Sequence, residues 1–171
     1  MKPCQHISHR YLETKEDIFH YLVNYLQKHN EESISVSRIS KEVKIQRHTF
    51  YHHYKNLSDL YIDFIRFVLD GMIAFMNKER IIEPEMRLGY YLDYRFMNKD
   101  MIISVLKLKQ YKDFYYSSVL KEIFKFSSLS DFQSRILIHF LKEIDNDWLG
   151  QNKKLSSSSI YGFMKYVLEN L

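Results

Sequence analysis

The 171 residues are 46% hydrophobic, which is enough apolar material for a folded core and argues against a disordered chain. Only four glycines and two prolines are present, so the turns that sandwiches, barrels and Rossmann sheets require are scarce, and an all-α fold is favoured. The single cysteine excludes an internal disulfide, and neither a signal peptide nor a membrane span is predicted, so we expect a cytoplasmic protein without membrane association.

The net charge of +4 is concentrated in one short segment. Residues 36–55 contain five basic residues and one acid, an excess equal to the net charge of the whole chain. A local positive surface of this kind indicates an anionic partner. The charged residues are Arg38, Lys41, Lys44, Arg47 and Lys55, with Glu42 as the acid.

Apolar residues recur at helical spacing in the first half of the chain, and capping residues precede several of these stretches. Thr14, Ser35 and Asn56 are the expected caps. The predicted helices cover residues 15–28, 36–43, 47–54 and about 57–78. The second and third are short and separated by three residues, which is the helix-turn-helix arrangement.

The second half continues the helical pattern, to about nine helices in all. Pro84 restarts a helix, and residues 98–100 interrupt it before a further one. An aromatic helical stretch follows between Tyr111 and Phe124. The last two predicted helices, 131–148 and 157–171, each carry a long apolar stripe.

The segment 34–56 resembles the DNA-binding signature of the TetR/AcrR family of transcription regulators. Ile39-Ser40 stands where the family has Ile-Ala, and the run Thr49-Phe50-Tyr51-His52-His53-Tyr54 is similar to its Thr-aliphatic-Tyr-x-His-Phe. The resemblance covers residues 15–64 by motif and the remainder by helix order. It implies a bacterial regulator with a three-helix DNA-binding domain at 1–56 and a helical effector-sensing and dimerisation domain at 57–171.

Two positions depart from the family pattern. Lys44 stands where the family commonly has a turn glycine, and a lysine can adopt the left-handed conformation there at a cost of about 1–2 kcal/mol. Leu57 stands where a phosphate-binding lysine is common, and Lys55 is expected to replace it. The variant turn and the short second domain are similar to the subgroup related to the dihydroxyacetone-kinase operon activator.

The third helix is the expected recognition helix, because exposed side chains near its N-terminus reach base edges in the major groove. Gln46, Arg47 and His48 are the expected base-reading residues. The expected phosphate contacts are Ser35, Ser37, Thr49, Tyr51, His52 and Lys55.

Aromatic residues between 64 and 126 allow two interpretations. The resemblance implies a pocket for a small apolar or aromatic effector, whereas helical spacing alone favours ordinary core packing. Control through a protein partner, without a pocket, is the alternative. The candidate pocket residues are Phe64, Phe67, Tyr91, Tyr94, Tyr111 and Tyr115.

The resemblance further implies a homodimer that binds a palindromic double-stranded operator. Its last two helices would pack against those of the second copy as a four-helix bundle. The expected interface residues are Ile136, Phe140, Trp148, Phe163 and Val167.

Other chemistries are disfavoured. Cys4, His6 and His9 have a spacing that a transition metal could use, but chance histidines near the N-terminus are the favoured interpretation, so no metal or cofactor is expected. The sequence contains no Gly-rich phosphate loop, His-Glu-x-x-His, Gly-x-Ser-x-Gly or Cys-x-x-Cys motif, so an enzyme is not expected.

Overall fold

The computed structural model describes residues 9–29, 31–77, 82–125, 129–150 and 157–170. Within these ranges the chain forms nine α-helices and no strand, which confirms the all-α prediction. No helix among the described residues is long and apolar enough to span a membrane. The helices are α1 (His9–Lys28), α2 (Val36–Glu42), α3 (Arg47–His53), α4 (Leu57–Met76), α5 (Pro84–Met97), α6 (Lys99–Lys107), α7 (Lys112–Ile123), α8 (Asp131–Gly150) and α9 (Ser157–Asn170).

The chain divides into two compact units, Met1–Phe64 and Ile65–Leu171. We call these unit 1 and unit 2. The boundary falls inside α4, whereas the sequence placed a domain boundary at the start of that helix. Since α4 runs without interruption from Leu57 to Met76, one helix contributes to both units.

Short-range side-chain hydrogen bonds fix the starts of three helices, and two of these caps, Ser35 and Asn56, are as the sequence predicted. The Ser35 hydroxyl accepts from the backbone N–H of Arg38, 3.3 Å away, and so caps α2. At α4 the Asn56 side chain accepts from the N–H of Asp59 at 2.9 Å. Ser130 and Gln133 exchange side-chain and backbone hydrogen bonds, the reciprocal capping box of α8.

The start of α1 differs from the prediction. The helix begins at His9, not Lys15, and the Thr14 hydroxyl donates to the Arg10 carbonyl at 2.9 Å inside the helix instead of capping it. The added turns are supported by tertiary packing, because the Tyr11 ring stacks on His53 with centroids 4.0 Å apart. Such a contact across 42 positions leaves no local signal in the sequence.

The core of unit 1 is formed by the apolar stripe of α1 and the inner faces of α2 to α4. Ile18, Leu22 and Leu26 are fully buried, and Phe19 meets Phe64 edge-on with ring centroids 5.3 Å apart. This packing supplies the stability that two seven-residue helices lack by themselves.

In unit 2, α5 packs against α7 and α9, and α8 packs against α7 and α9. A buried ionic cluster joins three of these helices. Arg95 of α5 pairs with Asp145 of α8, whose other carboxylate oxygen accepts from the Tyr116 hydroxyl of α7 at 2.5 Å. Each charge thus has a partner, which a buried ion needs if it is not to destabilise the core strongly.

Gly71 allows α4 and α5 to approach closely within unit 2. A Cβ at position 71 would lie 2.5 Å from the Tyr94 hydroxyl oxygen, which donates to the Val68 carbonyl at 3.1 Å. Gly89, on α5, faces open space. The first glycine is therefore required by packing and the second is not.

Candidate nucleic-acid interface

The turn between α2 and α3 has the geometry of a Schellman motif. The N–H of Ile45 donates to the Ser40 carbonyl at 2.9 Å, and the N–H of Lys44 donates to the Lys41 carbonyl at 3.3 Å. This pattern places the residue after the helix cap in the left-handed region. Lys44 has φ 58°, so it adopts the left-handed conformation at the position where the family commonly has glycine.

The inner side of the motif is apolar and tightly packed. Ile39 of α2 and Phe50 of α3 are fully buried, and the small Ser40 between them is 4% exposed. Val43 and Ile45, at the turn, are half-buried. The inner residues therefore set the relation of the two helices and leave the opposite side free to contact a partner.

The outer side carries the residues that the sequence singled out for DNA. Thr49 is half-buried, and the remaining eight are exposed, with Tyr51 at 55%. The structure therefore brings these residues onto α2, α3 and the turns that flank α3. The eight exposed residues are Ser35, Ser37, Gln46, Arg47, His48, Tyr51, His52 and Lys55.

Two further cations, Arg38 and Lys41, extend this surface along α2, and both are exposed. The Arg38 guanidinium donates to the Tyr25 hydroxyl at 2.6 Å and lies over the Tyr25 ring, 5.4 Å from its centroid. The Tyr25 hydroxyl is in turn 2.6 Å from the Ser33 hydroxyl. Sequence reasoning counted both cations in the basic segment but assigned neither to the site.

An open cleft of about 660 Å³ lies beside this surface, between α1 and α2. Ser35 and Ser37 line it together with basic side chains of both helices. A groove with this lining suits a phosphate group better than an apolar ligand. The basic residues along the cleft are Lys28, His29, Arg38 and Lys41.

The C-terminal end of α3 is held by a buried tyrosine. The Tyr54 hydroxyl donates to a carboxylate oxygen of Asp63 on α4 at 3.0 Å, and Lys15 of α1 contacts the same oxygen at 2.8 Å. Burial, and then the Asp63 charge, raises the pKa of Tyr54, so the hydroxyl stays protonated and donates. Sequence reasoning missed this network, although a tyrosine where the family has phenylalanine was its visible signal.

Neighbouring His53 packs against α1 by its stack on Tyr11. Burial lowers the pKa of His53, and the nearby charges of Lys15 and His52 lower it further. The ring is therefore held in its neutral form at neutral pH.

The candidate effector residues lie mostly in packed core. Tyr91 and Tyr115 are fully buried and Tyr94 is 7% exposed, while Tyr111 is half-buried and Phe64 is buried within unit 1. Phe67 corrects the prediction, because at 45% exposure it faces solvent and does not line an interior cavity. Clefts of about 560 and 260 Å³ in unit 2 are lined by other residues.

Two hydroxyls in this core are notable. The Tyr91 and Tyr115 hydroxyls are buried close enough to interact with each other, and among the described residues neither has a further hydrogen-bond partner. Burial raises the pKa of both groups, so each keeps its proton. The Arg95 guanidinium lies 5.3 Å from the Tyr91 ring centroid, so these hydroxyls adjoin the ionic cluster.

The candidate dimer residues divide into two groups. Phe140 and Phe163 are partly exposed, and their rings are in contact with centroids 4.1 Å apart and planes tilted by 33°, while Ile136 is half-buried. Val167 corrects the prediction, because it is 1% exposed and belongs to the core of its own unit. The side chain of Trp148 lies outside the described residues.

Two further exposed aromatic residues, which the sequence analysis left unassigned, lie on the same two helices. Phe132 of α8 is 49% exposed, and Tyr166 of α9 is 61% exposed. Phe132, Ile136 and Phe140 recur every four residues and so form one stripe of α8.

Of the Cys4, His6 and His9 cluster, only His9 is described, and it contacts Glu13 at 3.1 Å. Cys4 and His6 lie outside the described residues. The described part of the chain contains no group of three or more His, Cys, Asp or Glu side chains placed to hold a metal.

The fold and the exposed motif define an all-α helix-turn-helix protein. Neither a protein-family model nor a curated protein sequence matches the chain. A solved structure does match, over 91% of this chain and 98% of that chain, with a TM-score of 0.51 and 18% sequence identity. That protein is a transcriptional regulator of the TetR/AcrR ("TerR/AcrR") family from Aquifex aeolicus VF5. The chain thus has the fold that the signature at residues 49–54 predicted.

Proposed function

We propose that the chain is a transcription regulator that binds double-stranded DNA through α2 and α3. The carrying observation is the outer face of α3, where polar and basic side chains are exposed while Phe50 holds the helix from behind. A helix presented in this way fits the major groove. Arg47 suits bidentate pairing with guanine and Gln46 with adenine, each worth about 1–3 kcal/mol of discrimination.

Phosphate contacts would supply affinity and register but little sequence preference. Ser35, Ser37 and Lys55 are exposed like the base-reading residues, and the exposed cations Arg38 and Lys41 add to the positive surface. Each phosphate that a cation neutralises releases counterions, so affinity should fall steeply as salt rises.

A salt-titrated binding assay tests this function. Purified protein is titrated against the DNA flanking its own gene, with scrambled DNA as the control. We expect specific binding about 10³-fold or more above the scramble. Arg47→Ala should reduce the specific affinity, whereas Arg135→Ala, the same change at an exposed position on α8, should not. Equal binding of wild type to both DNAs at every salt concentration would contradict the proposal.

The regulator is proposed to act as a homodimer on a palindromic operator. The supporting observation is the apolar face of α8 and α9. Phe132, Phe163 and Tyr166 are exposed there, and the ring of Phe140 packs against that of Phe163. Covering such a face is favourable by about 25 cal/mol per Å² of apolar surface. Phe163→Asp should give monomers in sedimentation because it places a charge in the interface, and dimers of unchanged stability would exclude this face.

The signal is proposed to be a small effector with an apolar or aromatic body, bound in unit 2. The Tyr91 and Tyr115 hydroxyls support this, since they interact with each other and leave one buried donor that a polar group of a ligand would satisfy. Native mass spectrometry of the purified protein should then detect a small molecule at stoichiometric amount. Exposed Phe96 and Met97, at 61% and 69%, favour the alternative of a protein partner, which would co-purify instead.

A further inference from the structure

Two histidines on the outer face of the recognition helix stand one helical turn apart. His48 and His52 are both exposed, and their ring centroids lie 5.6 Å apart with the planes at 83°. Residues four apart lie on the same side of a helix, so the backbone itself holds the two imidazoles near each other. The distance between the two rings therefore does not depend on the conformation of a loop.

This geometry is close to what a shared metal ion needs. Imidazole nitrogens bind Zn²⁺ at about 2.0–2.1 Å, and similar lengths hold for neighbouring transition metals. Two rings on one ion then have centroids about 5 Å apart at a tetrahedral angle and about 4.5 Å apart at the 90° angle of a tetragonal ion such as Cu²⁺, if each ring centre lies about 1.1 Å behind its nitrogen. The observed 5.6 Å is about 1 Å longer than the tetragonal value, and both side chains are exposed and can rotate to close this difference.

We propose that His48 and His52 form a two-histidine site for a divalent transition-metal ion, with Cu²⁺ bound most tightly. Among the described residues no third His, Cys, Asp or Glu completes a larger group. The surrounding segment is basic, with Lys44, Arg47 and Lys55 all exposed, so its net positive charge opposes the binding of any cation. The ion must therefore have a high intrinsic affinity for imidazole, and Cu²⁺ exceeds Ni²⁺ and Zn²⁺ in this respect. Water fills the remaining coordination positions.

Metal binding and operator binding should oppose each other, a consequence that rests on the proposed function. His48 is assigned to base reading and His52 to phosphate contact, and a side chain that ligates a metal cannot make either contact. By linkage, the factor by which Cu²⁺ weakens operator binding equals the factor by which operator weakens Cu²⁺ binding.

The site is tested first on the free protein, without DNA. The full-length chain carries Cys4→Ser and His6→Gln, so that the thiol cannot reduce Cu²⁺ and the N-terminal histidine cannot compete. Cu²⁺ alone is titrated at about pH 7.5, because protons compete with a metal for its ligands at lower pH, and a chromogenic chelator serves as the competitor. We expect one tightly bound ion with a two-nitrogen signature in electron paramagnetic resonance.

Single substitutions then locate the ion. His48→Gln and His52→Gln should each weaken Cu²⁺ binding by about tenfold or more, since even the loss of a residue that only supports a ligand costs that much. His139→Gln is the matched control, because His139 is also exposed but lies on α8. Circular dichroism checks that each variant is folded. Undiminished copper affinity in both substituted proteins would overturn the proposal.

The DNA arm is separate. Cu²⁺ should weaken binding of the parent protein to its operator and leave the affinity of the His48→Gln variant unchanged. Equal copper sensitivity of the two proteins would overturn the antagonism. If no DNA is bound under any condition, the proposed function fails, and the copper titration of the free protein still decides the metal site.

Discussion

Replacement of Lys44 by glycine should stabilise the protein. At φ 58° a side chain with a Cβ is strained, at a cost of about 1–2 kcal/mol. Glycine removes this strain but loses about 0.4–1 kcal/mol more conformational entropy on folding. The expected net gain for Lys44→Gly is therefore about 0.5–1 kcal/mol.

The assay is thermal or urea denaturation at one fixed protein concentration, since dimerisation would couple stability to concentration. For a chain of this size the expected gain raises Tm by roughly 1–4 °C. Lys44→Ala is the matched control, because it removes the same charge and keeps a Cβ in the left-handed conformation. Its stability should stay within about 0.5 kcal/mol of wild type.

The comparison of the two variants separates backbone strain from charge. If Lys44→Ala stabilises as much as Lys44→Gly, the gain comes from relieving repulsion within the basic segment, and the strain argument is refuted. A glycine variant less stable than wild type would refute it equally.

Three further outcomes are expected in denaturation experiments. Gly71→Ala should destabilise the protein by about 1–3 kcal/mol through overpacking. Gly89→Ala should stabilise it by about 0.5–1 kcal/mol, because the space around this helix position is open. The reverse order of the two stabilities would contradict the packing. Because the pKa of His53 is lowered in the folded state, the unfolded state binds more protons as the pH falls. The stability that the neutral His53 contributes is therefore present above about pH 6.5 and is lost below it. His53→Gln should flatten the profile of stability against pH between pH 5 and 7. Tyr54→Phe should cost about 0.5–1.5 kcal/mol for the lost hydrogen bond, but close to nothing in a protein that already carries Asp63→Ala, because that change removes the acceptor.

The helix starts at Ser35, Asn56 and Ser130 were predictable because each cap is a contact between residues three apart. The position of the left-handed turn was also visible in the sequence, because Lys44 stands where the family pattern has its turn residue. Hydrogen bonds of this kind join residues that are close in the sequence, so the sequence alone is enough to predict them.

Contacts between distant residues could not be predicted in this way. Arg95 and Asp145 are 50 positions apart, and nothing near either residue marks the other as its partner. Val167 shows the same limit, because helical spacing identifies an apolar stripe but not whether the stripe faces its own core or a second molecule. Only the packing of α9 within its unit decides that.

The pattern of buried and exposed residues therefore identifies a candidate functional surface in unit 1 but not in unit 2. In unit 1 the sequence combined an apolar inner pattern with a run of basic residues, and the structure separates them, with Phe50 buried and Arg47 exposed. In unit 2 the aromatic residues carry no such contrast, since core and ligand pocket both favour tyrosine at helical spacing. What distinguishes Tyr91 and Tyr115 is that their buried hydroxyls interact with each other and have no further partner among the described residues. Such a pair of hydroxyls is a property of the assembled core, so the effector proposal could be sharpened only once the helices were in place.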